Sequence, residues 1–163
     1  MSLHTTTMHI TFENPDQPEV IELIAELDAY QDTLYPPESR HALDLASLRQ
    51  SNVLLAVARD ADARAVACGA AVLHSGFGEI KRMYVHPRAR GRGVARAMLA
   101  MLEAGAVWRD CDLLRLETGP RQPEAIALYA ACGYVTRGPF ADYRDDPLSV
   151  FMEKRIIQTS VSA

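Results

Sequence analysis

The chain has 163 residues, of which 48% are hydrophobic and 23% charged, with a net charge of −4 and a pI near 5.7. That size and balance suit one globular core and exclude a disordered chain, and the acidic charge argues against a generalist nucleic-acid partner. Three cysteines without a CxxC pair and five histidines without an HExxH pair give no disulfide framework and no metal site, and fit a reduced, cytoplasmic setting.

Residues 1–7 read as a loose tail, lacking the basic start and apolar stretch of a signal peptide. A short strand is expected over 8–12. Asp16-Gln17-Pro18-Glu19 resembles a helix start with Asp16 as the cap and Pro18 in the first turn. Val20, Ile24, Leu27 and Leu34 then recur at helical spacing. Pro36 and Pro37 must end that helix, and a second, shorter one is expected over 42–49. Three strands follow over 53–58, 64–74 and 79–86, joined by short turns at Asp60-Ala61-Asp62 and Ser75-Gly76-Phe77-Gly78, so they form an antiparallel meander. Val94, Met98, Met101, Leu102 and Gly105 lie on one face of a long helix. A strand over 113–118 precedes a helix over 122–132, opened by Pro123 and stopped by Gly133. Two strands, 134–137 and 149–154, end the pattern, with a tail over 158–163. The order is βααβββαβαββ. No apolar run is long enough to span a bilayer, and no linker divides 8–157, which reads as a single α+β domain on one mixed sheet.

The stretch from Met83 to Ala95 carries the chemistry. It runs from strand through turn to the start of a long helix, where unpaired N–H groups and a partial positive charge favour phosphate. Gly91 and Gly93 leave the backbone open to an anion, and Arg88, Arg90 and Arg92 add positive charge. Three phosphate-binding patterns come into question. A P-loop would need GxxxxGK[ST], which is absent. A dinucleotide fingerprint would need glycine where Arg96 stands. The third, [QR]xxGx[GA], is matched by Arg90-Gly91-Arg92-Gly93-Val94-Ala95 at every fixed position.

That third pattern is the pyrophosphate loop of the GNAT acetyltransferases. Residues 8–154 resemble that superfamily in element order as well as motif. Met83-Tyr84-Val85-His86-Pro87 looks like the strand ending before the family's loop, and Ala125-Ile126-Ala127-Leu128-Tyr129 with Gly133-Tyr134 looks like its AxxLYxxxGF helix. Gln122 stands where many members carry Asn. The resemblance implies a mixed, mostly antiparallel sheet of about seven strands with about four helices, splayed into a V-shaped cleft for acetyl-CoA. It implies that Met83, Tyr84 and Val85 receive the pantetheine arm as an added strand. Arg90, Gly91, Arg92, Gly93, Val94 and Ala95 would hold the pyrophosphate, and Gln122 would contact the arm. An amine would attack the thioester directly, with no covalent enzyme intermediate. Tyr129 would donate to the departing sulfur, a backbone N–H near Val85 would stabilise the oxyanion, and Glu79 would be the base through water. No metal is implied, and homodimers are common among such enzymes.

The acceptor is read as the amine of a small molecule. Glu38, Ser39, Arg40 and His41 follow two prolines where such enzymes shape the acceptor pocket; a plain helix–helix turn with a Ser39 cap is the other reading. Arg40, Lys81 and Arg82 favour an amino-acid-like amine carrying a carboxylate, whereas Glu38 and Glu79 would suit a polyamine. A protein or peptide amine and a non-catalytic acyl-CoA-binding module are the alternatives. Away from function, Glu79 reads as an exposed ion pair with Lys81 or Arg82, Glu117 as a cap or loop salt bridge, and Trp108 and the methionines as core.

Overall fold

The computed structural model describes residues 7–157, so the expected tails lie outside it except for Thr7. Its elements are β1 (His9–Phe12), α1 (Pro18–Leu34), α2 (Leu45–Leu48), β2 (Val53–Arg59), β3 (Ala65–Leu73), β4 (Gly78–Val85), α3 (Val94–Trp108), β5 (Leu113–Thr118), α4 (Pro123–Ala131), β6 (Val135–Arg137) and β7 (Val150–Arg155). Single 3-10 turns at Pro37–Ser39 and Pro87–Ala89 complete the chain. The strands form one seven-stranded sheet in the order β1-β2-β3-β4-β5-β7-β6. Every neighbouring pair is antiparallel except β4 with β5. The expected α+β architecture and element order are therefore present.

A strand that is apolar on both faces needs a cover on both, and β2 and β3 are such strands. Ala56, Ala58, Ala67 and Ala71 turn to one face, under Met98, Leu99 and Leu102 of α3. Leu55, Val57, Cys68 and Ala70 turn to the other, under Val20, Leu23 and Leu27 of α1. Burying a side chain such as Leu99 or Leu102 contributes about 1.5–3 kcal/mol. The small strand residues let the helices sit close, and Gly105 does the same for β1: a Cβ there would come within 2.4 Å of the Phe12 ring.

Three local expectations give way to tertiary contacts. The residue capping α1 is Gln17, with no side-chain cap bond, because the Asp16 carboxylate pairs with Arg49 at 3.2 Å instead. Helix α2 has only four residues, capped by Asp44 through the Ser47 N–H. The chain before it stays extended because its carbonyls serve β4: Lys81 Nζ donates to His41 O at 2.8 Å and Arg82 Nε to Leu43 O at 2.8 Å. Trp108 is not core but 88% exposed. It is the last residue of α3; the chain turns through Asp110 at φ 62°, and Cys111 covers the end of the core in its place. Met98 and Met152 are buried as expected.

Candidate active site

The cleft follows from two irregularities in β4. The first is a bulge. Ala70 pairs with Lys81 and Cys68 with Tyr84, so Arg82 and Met83 together face Gly69. Arg82 takes φ 59°, an unfavourable value for a residue with a Cβ. Its guanidinium, 6% exposed, holds the bulge by bonding Asp28 of α1 at 2.7 Å and Leu43 O at 2.8 Å. Gly69 makes room opposite, since a Cβ there would press on the Met83 sulfur at 3.0 Å. The second irregularity is the short pairing of β4 with β5, which covers Gly78 with Leu114, Glu79 with Arg115 and Ile80 with Leu116. Beyond Ile80 the parallel strands part, and β4 from Lys81 to Val85 keeps a partner on one side alone. Part of its backbone N–H and C=O groups thereby face an opening.

A cavity of about 480 Å³ occupies that opening. One end reaches the start of α3. There Gly93 is the N-cap at φ 75°, without a side-chain cap bond, and Gly91 has the same φ. A Cβ at either glycine would meet no atom within 4 Å, so the backbone faces open space. Unpaired N–H groups of a first helical turn present there are donors for an anion. Gly91, Gly93, Val94 and Ala95 line this end, with the Arg90 side chain beside them. Arg90 Nε donates to Val85 O at 3.0 Å and its guanidinium lies 5.8 Å from the Tyr84 ring, so the side chain braces the turn. Arg92 is exposed and does not line the cavity. Met83, Tyr84, Val85 and Gln122 line the middle.

Tyr129 projects from α4 into the same space. The residue is 7% exposed, and its hydroxyl has no hydrogen-bond partner among the described residues. Burial pushes its phenol well above the ordinary tyrosine range, so it stays a proton-bearing donor. Cys68 and Cys111 offer no competing nucleophile: burial raises the Cys68 thiol to about 12, and Cys111 is raised by the same cause.

The other end lies under α1 and the turn that follows it. Glu79 is not an exposed ion pair but 6% exposed, with Lys81 Nζ 3.5 Å from its Oε2. The Tyr143 hydroxyl donates to the same oxygen. Among the described residues Glu117 caps no helix and joins no salt bridge; it lines the cavity, with Ser149 Oγ at 3.5 Å. Burial, reinforced by the nearby Glu79 charge and opposed by Lys81, pushes its carboxyl up to about 7. Arg40 and His41 line this end, as does Arg82, whereas Glu38 is exposed and outside it. Ser39 caps no helix; its Oγ donates to Asp146 at 3.0 Å. Arg40 bonds Asp28 at 2.9 Å and also Asp32. Tyr143 and the cavity role of Glu117 had no signal in the sequence, because strand register and a loop path bring them beside Glu79.

A profile of the acetyltransferase (GNAT) family matches residues 19–134. The chain belongs to that family. It is 46% identical over 147 residues to the IAA acetyltransferase of Azospirillum brasilense, covering 89% of this chain and 95% of that one. It is 36% identical over 152 residues to a Bacillus subtilis protein named "Uncharacterized N-acetyltransferase YsnE", covering 91% and 100%. A Klebsiella pneumoniae structure titled "putative acyl-CoA N-acyltransferase" superposes with a TM-score of 0.83 at 48% identity, over 93% of this chain and 99% of that one. GNAT enzymes draw their acetyl group from acetyl-CoA, and a GNAT-fold neighbour from Thermoplasma acidophilum was solved with coenzyme A at 15% identity and a TM-score of 0.71, covering 91% and 99%. This GNAT chain is thus an N-acetyltransferase of the CoA-dependent type. Among the described residues no helix is long and apolar enough to cross a membrane.

Proposed function

We propose that the protein moves an acetyl group from acetyl-CoA to the primary amine of a small molecule by direct attack. The observation that carries this is the single cavity joining the start of α3 to the Tyr129 hydroxyl and to Glu79. The residues present fit acetyl-CoA. Open backbone at Gly91 and Gly93, φ 75° at both, suits the pyrophosphate. The vacated side of β4 at Met83–Val85 suits the amide groups of the pantetheine arm, and Gln122 lies beside it as a further donor. When bound, the thioester supplies an acyl carbon open to attack.

The chain's own groups do the rest. Backbone N–H groups in the 82–85 stretch, held by the bulge, donate to the carbonyl oxygen as it gains charge. Tyr129 donates a hydrogen bond to the departing sulfur; with its phenol raised, it works as an oriented donor. The amine arrives protonated at neutral pH, so a cavity carboxylate must take a proton, and Glu79 and Glu117 stand nearest the acceptor end, with Glu124 at the start of α4. Tyr35 and His41 wall the acceptor end.

The test pairs calorimetry of acetyl-CoA with release of free CoA thiol across a screen of amines. Binding together with amine-dependent thiol release supports the reading. Binding without release from small amines or peptides makes the protein an acyl-CoA-binding module, and release from peptides alone moves the acceptor to a protein amine. Absence of binding refutes it.

A further inference from the structure

The charges at the acceptor end are unevenly committed. The cations that could hold a substrate carboxylate are engaged by protein carboxylates or carbonyls, although the buried Arg40 Nε lacks a partner among the described residues. Arg82 bonds Asp28 at 2.7 Å, and Arg40 bonds Asp28 at 2.9 Å and Asp32. Lys81 donates to His41 O at 2.8 Å and lies 3.5 Å from Glu79. The anions are less well matched. Glu79 is 6% exposed, and its Oε1 accepts no hydrogen bond among the described residues. Glu117 has one long contact, Ser149 Oγ at 3.5 Å. Tyr35, 9% exposed, lines the same cavity with an unpartnered hydroxyl. A carboxylate withdrawn from water is costly unless a positive group matches it. One lysine between two carboxylates leaves the chamber short of a cation.

We propose, resting on the acetyl transfer argued above, that the acceptor is a cationic amine without a carboxylate beside its nitrogen, that Glu79 and Glu117 receive its ammonium group, and that Glu117 takes the proton that frees the nitrogen to attack. Glu79 is the carboxylate held in place, since its Oε2 is already engaged by Tyr143 and Lys81. Glu117 has the free lone pairs. The ammonium gives one proton to the Glu117 carboxylate. The neutral nitrogen forms the C–N bond to the acetyl carbon, the C–S bond breaks, and the sulfur takes the second nitrogen-borne proton. Glu117 then returns its proton to water. The products are a neutral amide, CoA thiol and one released proton.

The surroundings of Glu117 agree with this role. Glu79 and Lys81 face it from β4, Tyr35 from the end of α1, and Tyr143, Asp146 and Ser149 from the segment between β6 and β7. Burial is the main cause that lifts its carboxyl to about 7, where proton uptake and release near neutral pH are both easy. The aromatic walls, Tyr35, His41 and Tyr143, suit an ammonium near its organic body.

The test uses matched pairs differing by one carboxylate: 2-phenylethylamine with L-phenylalanine, and 1,5-diaminopentane with L-lysine. Free CoA thiol is measured, with acetyl-CoA affinity determined separately by calorimetry. The amine of each pair is expected to exceed its amino acid in kcat/KM by about 100-fold or more, the scale of one unmatched like charge. Glu117→Gln is expected to lower kcat about 100- to 10,000-fold and to remove the ascending limb near pH 7, with acetyl-CoA affinity unchanged. Its Tm should equal or exceed that of the wild type, since a desolvated charge is gone. Glu79→Gln should chiefly raise the amine KM. Amino acids preferred in both pairs, no turnover of either pair by an enzyme that binds acetyl-CoA, or an unchanged pH profile in Glu117→Gln would each overturn the inference. Failure to bind acetyl-CoA would instead strike the acetyl transfer on which it rests.

Discussion

Replacing Gly93 by valine tests the start of α3 as the phosphate site. Gly93 has φ 75°, and a Cβ there meets no atom of the described residues within 4 Å. The substitution therefore clashes with none of the described residues, and its cost to the fold is the backbone conformation alone, about 1–2 kcal/mol for a left-handed residue. A domain with roughly 5–15 kcal/mol of stability remains folded after that loss. The valine side chain instead occupies the open space where an anion would approach the first turn. A hydrogen bond to a charged group contributes about 1.5–3 kcal/mol, so displacing one phosphate contact should weaken acetyl-CoA binding by about 10- to 100-fold. Gly76 supplies the control. It lies in the turn between β3 and β4, has φ 88°, also has no atom within 4 Å of an added Cβ, and does not line the cavity. Gly76→Val should lose similar stability and keep its affinity. Calorimetry gives the affinities and thermal melting the stabilities. Acetyl-pantetheine, which has no pyrophosphate, should bind wild type and Gly93→Val alike. Unchanged acetyl-CoA affinity in folded Gly93→Val, or an equal loss in Gly76→Val, refutes the phosphate reading.

Other consequences are as direct. Tyr129→Phe should keep acetyl-CoA affinity and melting temperature, because its hydroxyl bonds none of the described residues, while kcat falls roughly 10- to 1000-fold; wild-type turnover would make Tyr129 a packing residue. Gly105→Ala should cost about 1–3 kcal/mol in urea denaturation, since the new methyl would meet the Phe12 ring at 2.4 Å; an unaltered midpoint would mean that β1 shifts freely. The third concerns acid. Arg59 holds the Glu13 carboxyl down to about 2 from an ordinary 4.5, chiefly through hydrogen bonds, so that contribution is full above about pH 5 and disappears as pH falls toward 2. Urea titrations at pH 6, 4 and 3 should show wild type losing stability faster than Arg59→Met, and parallel slopes would dismiss the pair as the acid-sensitive anchor.

What was legible in the sequence was local. The turn at Arg90-Gly91-Arg92-Gly93 and the helix after it follow from glycine freedom and apolar spacing within some fifteen residues. The meander of β2, β3 and β4 follows likewise from apolar runs joined by short polar turns. Where a local rule met a distant competitor, the competitor won. Asp16 left the end of α1 for Arg49, and the carbonyls of His41 and Leu43 went to Lys81 and Arg82, which left α2 only four residues. Trp108 sits at an apolar helical position, yet α3 ends there and the chain folds back under it.

The acceptor end shows the same division more sharply. Sequence alone determined the family resemblance, the order of elements and the loop expected to take a phosphate, because each is written in neighbouring residues. It named Glu79 as a candidate and set Glu117 aside. Only the tertiary structure brought Glu79, Lys81, Glu117 and Tyr143 to one cavity. Glu79 and Glu117 stand on strands paired for three residues before they part, and Tyr143 comes from a loop 64 positions beyond Glu79. Tertiary packing also decided which cations were free, since Asp28 of α1 claims both Arg40 and Arg82. Charge and burial are properties of the surroundings, and for these residues the surroundings come from strand register and loop path, to which a one-dimensional pattern gives no access.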